Sequence, residues 1–404
     1  MFFIKKIYFR TYQFIFKLLM PFLPYREPEL LHNMDDLAHL LSENSIKMVL
    51  IVAGNNVRKN NLTSDLEEAL LKNNVSFVIY SDTLPNPTTN DVLNGKKIYL
   101  ENNCDAIIAV GGGSQIDCAK AIGALIKYPK KNLKDLKGTL KVLRKLPLLI
   151  AIPTTAGSGS ETTVTAVISD IQTHHKYTLN NFTMIPKYTL LDPKMTYTLP
   201  PSLTSTTGMD ALTHAVEAYI GRSTTKRTRE LSLEAIKLIF ENILTAYNEP
   251  TNYEARSNML KASYMAGCAF TKSYVGYIHA IAHPLGGVYN TPHGLANSVL
   301  MPIVLEEYGK CVYKKLYKIA KYINLVTESD SYETGAMKFI AKIKELNRKM
   351  NIPTHFDFIL EADIKKMSKF AYSEANPLYP VPVIWDLGKI EKIYYLASNL
   401  KKSK

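Results

Sequence analysis

The sequence predicts an α/β domain built on a parallel, Rossmann-like sheet, followed by an all-helical domain. Three observations carry this reading. Short apolar runs alternate with helical segments over residues 46–200. Past Pro200 and Pro201 long helical periods follow one another with no convincing strand between them. The chain has 404 residues with 46% hydrophobic and 21% charged content, enough for two cores without disulfide staples. That composition excludes a disordered, collagen-like or low-complexity protein. Cys104, Cys118, Cys268 and Cys311 form no CxxC pair, so a zinc ribbon or disulfide scaffold is not expected and a reducing, cytoplasmic compartment is.

The first segment, MFFIKKIYFRTYQFIFKLLMPFLP, predicts a basic amphipathic helix over residues 1–27. Lys5, Lys6, Arg10 and Lys17 interrupt it too often for a membrane span, and no small-residue cleavage site follows. Lys6, Arg10, Gln13 and Lys17 form one narrow polar stripe, and Pro21 and Pro24 end the segment. Such a helix either docks on the protein body or a second subunit, which the narrow stripe favours, or makes a peripheral membrane contact through residues 1–24. The net charge, 49 − 36 = +13, includes eight Lys or Arg between Lys127 and Lys145 against Asp135 alone, and the tail Lys401, Lys402, Ser403, Lys404. With no nucleic-acid-binding signature beside them, these read as solvated faces, and no nucleic-acid partner is expected.

Strands are predicted at 48–53, 76–81, 105–110 and 148–153, with helices near 61–73 and 114–127. The third strand runs into Gly111, Gly112, Gly113 and Ser114 and then a helix. Glycines let a ligand approach the backbone, and a helix N-terminus offers free N–H groups, so phosphate is the expected guest, a plain structural turn being the alternative. The fourth strand runs into PTTAGSGSE, residues 153–161. Ligands bind at the carboxyl ends of strands in open α/β sheets, and two such loops in one sheet point to a nucleotide cofactor.

Helices are predicted near 208–220, 226–246, 251–270, 294–307, 310–324, 332–348 and 387–398, placing the domains at 28–200 and 201–404. Asp210 and His214 fall at i, i+4, as do His279 and His283, and His293 follows in a loop closed by Pro292. One carboxylate with three imidazoles suits a divalent transition metal such as Fe(II) or Zn(II). Chance pairs in long helices are the alternative.

GGGSQIDCAK, PTTAGSGSE, LDPKMTYTLPPSLTSTTGMDALTHAVEAY and HAIAHPLGGVYNTPHGLAN, in that order, resemble the iron-containing alcohol dehydrogenase family over about residues 28–400. The resemblance implies an α/β nucleotide-binding domain and an all-α metal-binding domain, an architecture of the dehydroquinate synthase type. It implies Asp210, His214, His279 and His293 as ligands of Fe(II) or Zn(II), with His283 beside the metal as the proton-relay candidate. Gly111, Gly112, Gly113 and Ser114 would hold the cofactor pyrophosphate, with Asp117 supporting that loop. Thr154, Thr155 and Ser158 would line the nicotinamide side, and Lys176 matches a cofactor-contacting lysine. The implied reaction is hydride transfer between NAD(P) and an alcohol or aldehyde, the metal polarising the substrate oxygen. A homodimer is the default assembly. Phe270, Tyr274 and Tyr277 are expected near the substrate.

One departure bears on the cofactor. Where many family members carry an Asp after the first strand, this chain has Gly54, followed by Asn55 and Asn56, with Arg58 and Lys59 nearby. An acid there binds the ribose 2′-OH and repels a 2′-phosphate. Its loss predicts NADP(H) over NAD(H). A lyase resembling dehydroquinate synthase and a catalytically silent scaffold are the competing readings.

Overall fold

The computed structural model describes residues 2–170 and 176–400, with Lys176 and Tyr177 described by backbone alone. The chain divides into two compact units, Pro24–Leu199 and Met1–Leu23 with Pro200–Lys404. A helix α1 (Phe2–Leu19) thus belongs with the C-terminal unit.

The unit Pro24–Leu199 runs β1 (Glu29–Leu31), α2 (Met34–Glu43), β2 (Met48–Val52), α3 (Asn55–Lys59), α4 (Ser64–Lys72), β3 (Ser76–Tyr80), α5 (Thr89–Glu101), β4 (Ala106–Gly111) and α6 (Gly113–Lys127). It continues through β5 (Gly138–Thr139), β6 (Leu148–Pro153), β7 (Thr165–Ser169), β8 (Lys176–Asn180) and β9 (Tyr188–Leu190). Six strands form one parallel sheet in the order β1-β9-β6-β4-β2-β3. Every residue of β4 is buried, as expected of a strand covered on both faces. Its side chains alternate: Ile107 and Ala109 pack with α5 and α6, while Ala106, Ile108 and Val110 pack with α2 and α4.

The four anticipated strands are present within a residue at either end. The anticipated helix at 61–73 is α4, which begins only beyond Asn61, whose φ of 54° no helix accommodates; the short α3 before it was not anticipated. The strands β1 and β9, at one side of the sheet, were not anticipated, and neither was the small sheet β5-β8-β7.

The helical unit runs α7 (Pro201–Ile220), α8 (Lys226–Asn248), α9 (Tyr253–Ser273), α10 (Tyr277–Tyr289), α11 (His293–Tyr308), α12 (Tyr313–Tyr322), α13 (Tyr332–Lys349), α14 (Glu361–Ala375) and α15 (Leu387–Leu396). Pro201 opens α7 at a position where its missing N–H costs nothing. From Gly208 to Ile220 every residue of α7 is buried. Helix α7 is therefore the central element, packed by α8, α9 and α11. The helix α14 went unread in the sequence. No described helix is long and apolar enough to cross a membrane.

Candidate metal centre and cofactor loop

Helix α7 carries Asp210, His214 and Glu217 on one face, at i, i+4 and i+7. Helix α10 contributes His279 and α11 contributes His293. One ligating atom from each of Asp210, His214, His279 and His293 lies within 4.8 Å of all the others. Asp210 Oδ1 is 3.9 Å from His279 Nε2 and 3.5 Å from His293 Nε2. The rings of His214 and His279 stack with centroids 4.6 Å apart. Gly294 makes this approach sterically feasible: a Cβ there would lie 2.3 Å from the Thr206 carbonyl oxygen on α7. His293 differs from its expected setting. It is the first residue of α11, following Pro292, rather than a loop residue.

The environment of His279 tests whether a cation fits. His279 Nδ1 is 2.6 Å from Glu217 Oε2. The same carboxylate accepts from Gly276 N and Ile278 N, both at 2.7 Å. Burial raises the Glu217 carboxyl to about 7, while those donors favour its charged form. A carboxylate surrounded by donors fixes the imidazole as the Nδ1–H tautomer. His279 Nε2 then keeps its lone pair, and it is buried with no hydrogen-bond partner among the described residues. Burial and the neighbouring imidazoles push His279 well below the usual histidine range, so the ring is neutral. An orphaned, neutral imidazole nitrogen facing a carboxylate is the setting a divalent cation satisfies. Asn297, one turn after His293, donates to Asp210 Oδ1 at 2.7 Å and lies 3.1 Å from His293 Nε2.

His283 stands outside this group of four. Its ring centroid lies 5.2 Å from that of His293 and 6.1 Å from that of His279. Its Nδ1 is 2.5 Å from Glu374 Oε1, which also accepts from Tyr379 OH at 2.7 Å. Burial opposes a charged His283 ring, but the Glu374 carboxylate outweighs it and holds the ring above the ordinary histidine range. Sequence reasoning missed Glu217, Asn297 and Glu374. Glu217 lay within a recognised motif, three residues past His214 in an otherwise apolar stretch. Glu374, 91 residues from its partner, gave no local signal.

Of the expected substrate neighbours, Phe270 stacks on His214 with centroids 4.1 Å apart. Tyr277 does not line a pocket. It is fully buried, stacked 4.7 Å from Trp385, and its hydroxyl accepts from Trp385 N. Tyr274 packs against Tyr379.

In the α/β unit the two glycine-bearing loops meet. Thr154 N donates to the Gly111 carbonyl at 3.0 Å. A Cβ on Gly112 would lie 3.3 Å from Thr155 Oγ1, and one on Gly113 would lie 3.0 Å from Ser158 Oγ. Ser114 Oγ accepts from Asn86 N at 3.2 Å. Asp117 accepts from Ser160 Oγ at 2.5 Å and from Val167 N at 2.9 Å, bonds to the second loop and β7 rather than to residues 111–114. Lys120, fully buried and also unanticipated, donates to the carbonyls of Ser160, Thr163 and Thr165 at 2.6 to 2.9 Å. The side chain of Lys176 lies outside the described residues.

Gly54 caps β2 and precedes α3, where Asn55 and Asn56 are exposed. A Cβ on Gly54 would lie 2.8 Å from Gln115 Nε2, so the glycine also admits the Gln115 side chain. Arg58 does not bring free charge to this end of the sheet, as the sequence suggested. It pairs with Glu67 and Thr63. Lys59 is exposed.

Residues 31–193 match the family described as iron-containing alcohol dehydrogenase, and residues 204–397 match its C-terminal part. The chain is 35% identical over 310 residues to the NADPH-dependent butanol dehydrogenase of Clostridium saccharobutylicum, covering 76% of this chain and 79% of that one. It is 32% identical over 358 residues to the NAD-dependent methanol dehydrogenase of Bacillus methanolicus, covering 87% and 93%. Among solved structures, a 1,3-propanediol oxidoreductase superposes with a TM-score of 0.88 at 31% identity, covering 93% of this chain and 98% of that one. The ordered motifs, the sheet followed by a helical unit, and the Asp/His cluster agree with these likenesses: the chain belongs to the iron-containing alcohol dehydrogenase family.

Proposed function

We propose that this NAD(P)-dependent alcohol dehydrogenase interconverts a primary alcohol and its aldehyde with NADP(H) as the preferred carrier. The observation that carries the reaction is the convergence of Asp210, His214, His279 and His293 within 4.8 Å, with a buried His279 Nε2 that has no hydrogen-bond partner among the described residues. These four residues would hold Fe(II), or Zn(II), whose chemistry is to polarise the substrate oxygen.

The remaining work falls to the chain. Glu217 holds His279 in the ligating tautomer. Asn297 restrains Asp210 from α11. His283, tied through Nδ1 to Glu374, keeps Nε2 as the ring atom that gives or takes the substrate proton. Gly111, Gly112, Gly113 and Ser114 open a helix N-terminus whose N–H groups suit the cofactor pyrophosphate. Gly54 leaves no carboxylate to repel a 2′-phosphate, and Asn55, Asn56 and exposed Lys59 supply donors. The NADPH-dependent butanol dehydrogenase among its relatives supports both the carrier and a short unbranched substrate. The lyase alternative loses its support, because both family matches are to alcohol dehydrogenases.

The test is anaerobic. With Fe(II)-loaded protein and butanal, NADPH oxidation should exceed NADH oxidation by about tenfold or more in kcat/KM, which corresponds to ~1.4 kcal/mol. Gly54→Asp should reverse that preference. A tenfold preference of the unaltered protein for NADH would refute the carrier assignment and leave the reaction class intact.

A further inference from the structure

Helix α1 lies before both family-matched stretches, and it packs with its polarity inverted. Gln13 is buried and donates to the carbonyls of Tyr379 and Pro377 at 2.7 and 3.1 Å. Arg10 donates to those of Val381 and Pro382 at 2.8 and 3.0 Å. Phe9 packs edge-on to Tyr372, and Phe16 to Tyr274. Arg10 and Gln13 of the polar stripe thus face the protein, whereas docking was expected to bury the apolar sides; Lys17, on the same stripe, stays exposed. The opposite face holds Phe3, Ile4, Ile7, Phe14 and Leu18, with Phe22 just beyond the helix, all between 54% and 84% exposed. Their spacing gives an apolar strip along α1, interrupted only by Thr11. Scattered exposed hydrophobics need no explanation, but an aligned strip does.

The charge around the strip has one sign. No acid occurs before Glu27, and Lys5 and Lys17 are exposed toward the two ends of α1. Beyond Lys17 lie Arg222, Arg229 and Lys315. Burial, together with the cations Arg222, Arg229 and Lys17, lowers the Lys315 ammonium to about 8. We propose that the outward face of α1 seats the enzyme peripherally on an anionic lipid bilayer, the apolar strip entering the interface and the surrounding lysines and arginines meeting acidic headgroups. A second copy of the chain fits less well. Two such faces would bring lysines together with no carboxylate between them.

Deleting α1 is a poor test, because its inner face satisfies the carbonyls of residues 377–382. The full chain and the outward double variant Phe14→Ser/Leu18→Ser should instead be sedimented with vesicles of phosphatidylcholine mixed equally with phosphatidylglycerol, and with phosphatidylcholine alone. The unaltered protein should partition onto the mixed vesicles, less onto the neutral ones, and less as salt rises. The double variant should lose about tenfold or more of that partitioning while keeping its butanal-linked activity and far-ultraviolet dichroism. Lys5→Gln/Lys17→Gln should weaken binding to the mixed vesicles specifically. Absence of the unaltered protein from both pellets would overturn the proposal, as would equal binding by the double variant. A solution mass that falls in the double variant without vesicles would assign the strip to a second copy, and would overturn it equally.

Discussion

Glu217 and Glu374 decide how two histidines of similar sequence setting behave differently. Each accepts from a histidine Nδ1, but Glu217 is sealed in the helical core with two backbone donors, whereas Glu374 shares its load with the Tyr379 hydroxyl. Burial and the imidazoles of His214, His293 and His283 keep the first ring neutral, while the Glu374 carboxylate biases the second toward its charged form. Glu217→Ala should lower metal affinity by about 10–100-fold, as losses of such outer partners do, measured by competition against a chelator. Unchanged affinity would separate Glu217 from the site. Glu374→Gln removes the charge that favours the His283 imidazolium. The ring then loses its proton at lower pH, so the limb of the pH–rate profile that reports it should move to lower pH. A limb that stays in place would show that His283 does not titrate in the rate-determining range.

Among the elements, α7 and α1 do different work. Helix α7 is buried from Gly208 to Ile220, and that burial sets the spacing of Asp210, His214 and Glu217 rigidly. Helix α1 is exposed along one side and is held by polar bonds on the other. Arg10→Ala/Gln13→Ala takes these donors from the carbonyls of Pro377, Val381 and Pro382, each at a cost of about 1–3 kcal/mol where water does not replace the donor. The apparent melting temperature should fall by several degrees, and the activity with it, since Tyr379 belongs to the same segment and donates to Glu374. A melting temperature unmoved by the double change would show that α1 rests loosely on the unit.

The same elements show what the sequence made legible. Strands β2, β3, β4 and β6 and most long helices announced themselves through apolar runs and helical period. The three-residue strands β1 and β9 are too short for any period to show, and they exist because neighbours in the sheet pair with them. The histidines and Asp210 were legible because their i, i+4 spacing and neighbouring glycines stood out in one dimension. Glu374, Lys120 and Gln115 were not, because their roles come from partners far along the chain. Tyr277 was misplaced for the same reason: proximity in sequence to His279 says nothing of Trp385, which stacks on it.

Across the whole molecule, the two units carry different groups of polar residues. The α/β unit ties α6 to the second strand-end loop through Asp117 and Lys120, and the helical unit gathers four ligating side chains from three helices. The central claim is that Asp210, His214, His279 and His293 hold the metal while His283 acts beside it. The most direct measurement is metal content and turnover, side by side, for the unaltered protein, His279→Ala and His283→Ala after anaerobic loading with Fe(II). The unaltered protein and His283→Ala should each retain about one metal per chain, with turnover in His283→Ala lower by about 10²–10⁴-fold. His279→Ala should lose metal and turnover together. Full metal in His279→Ala, or loss of metal in His283→Ala, would contradict the division of roles.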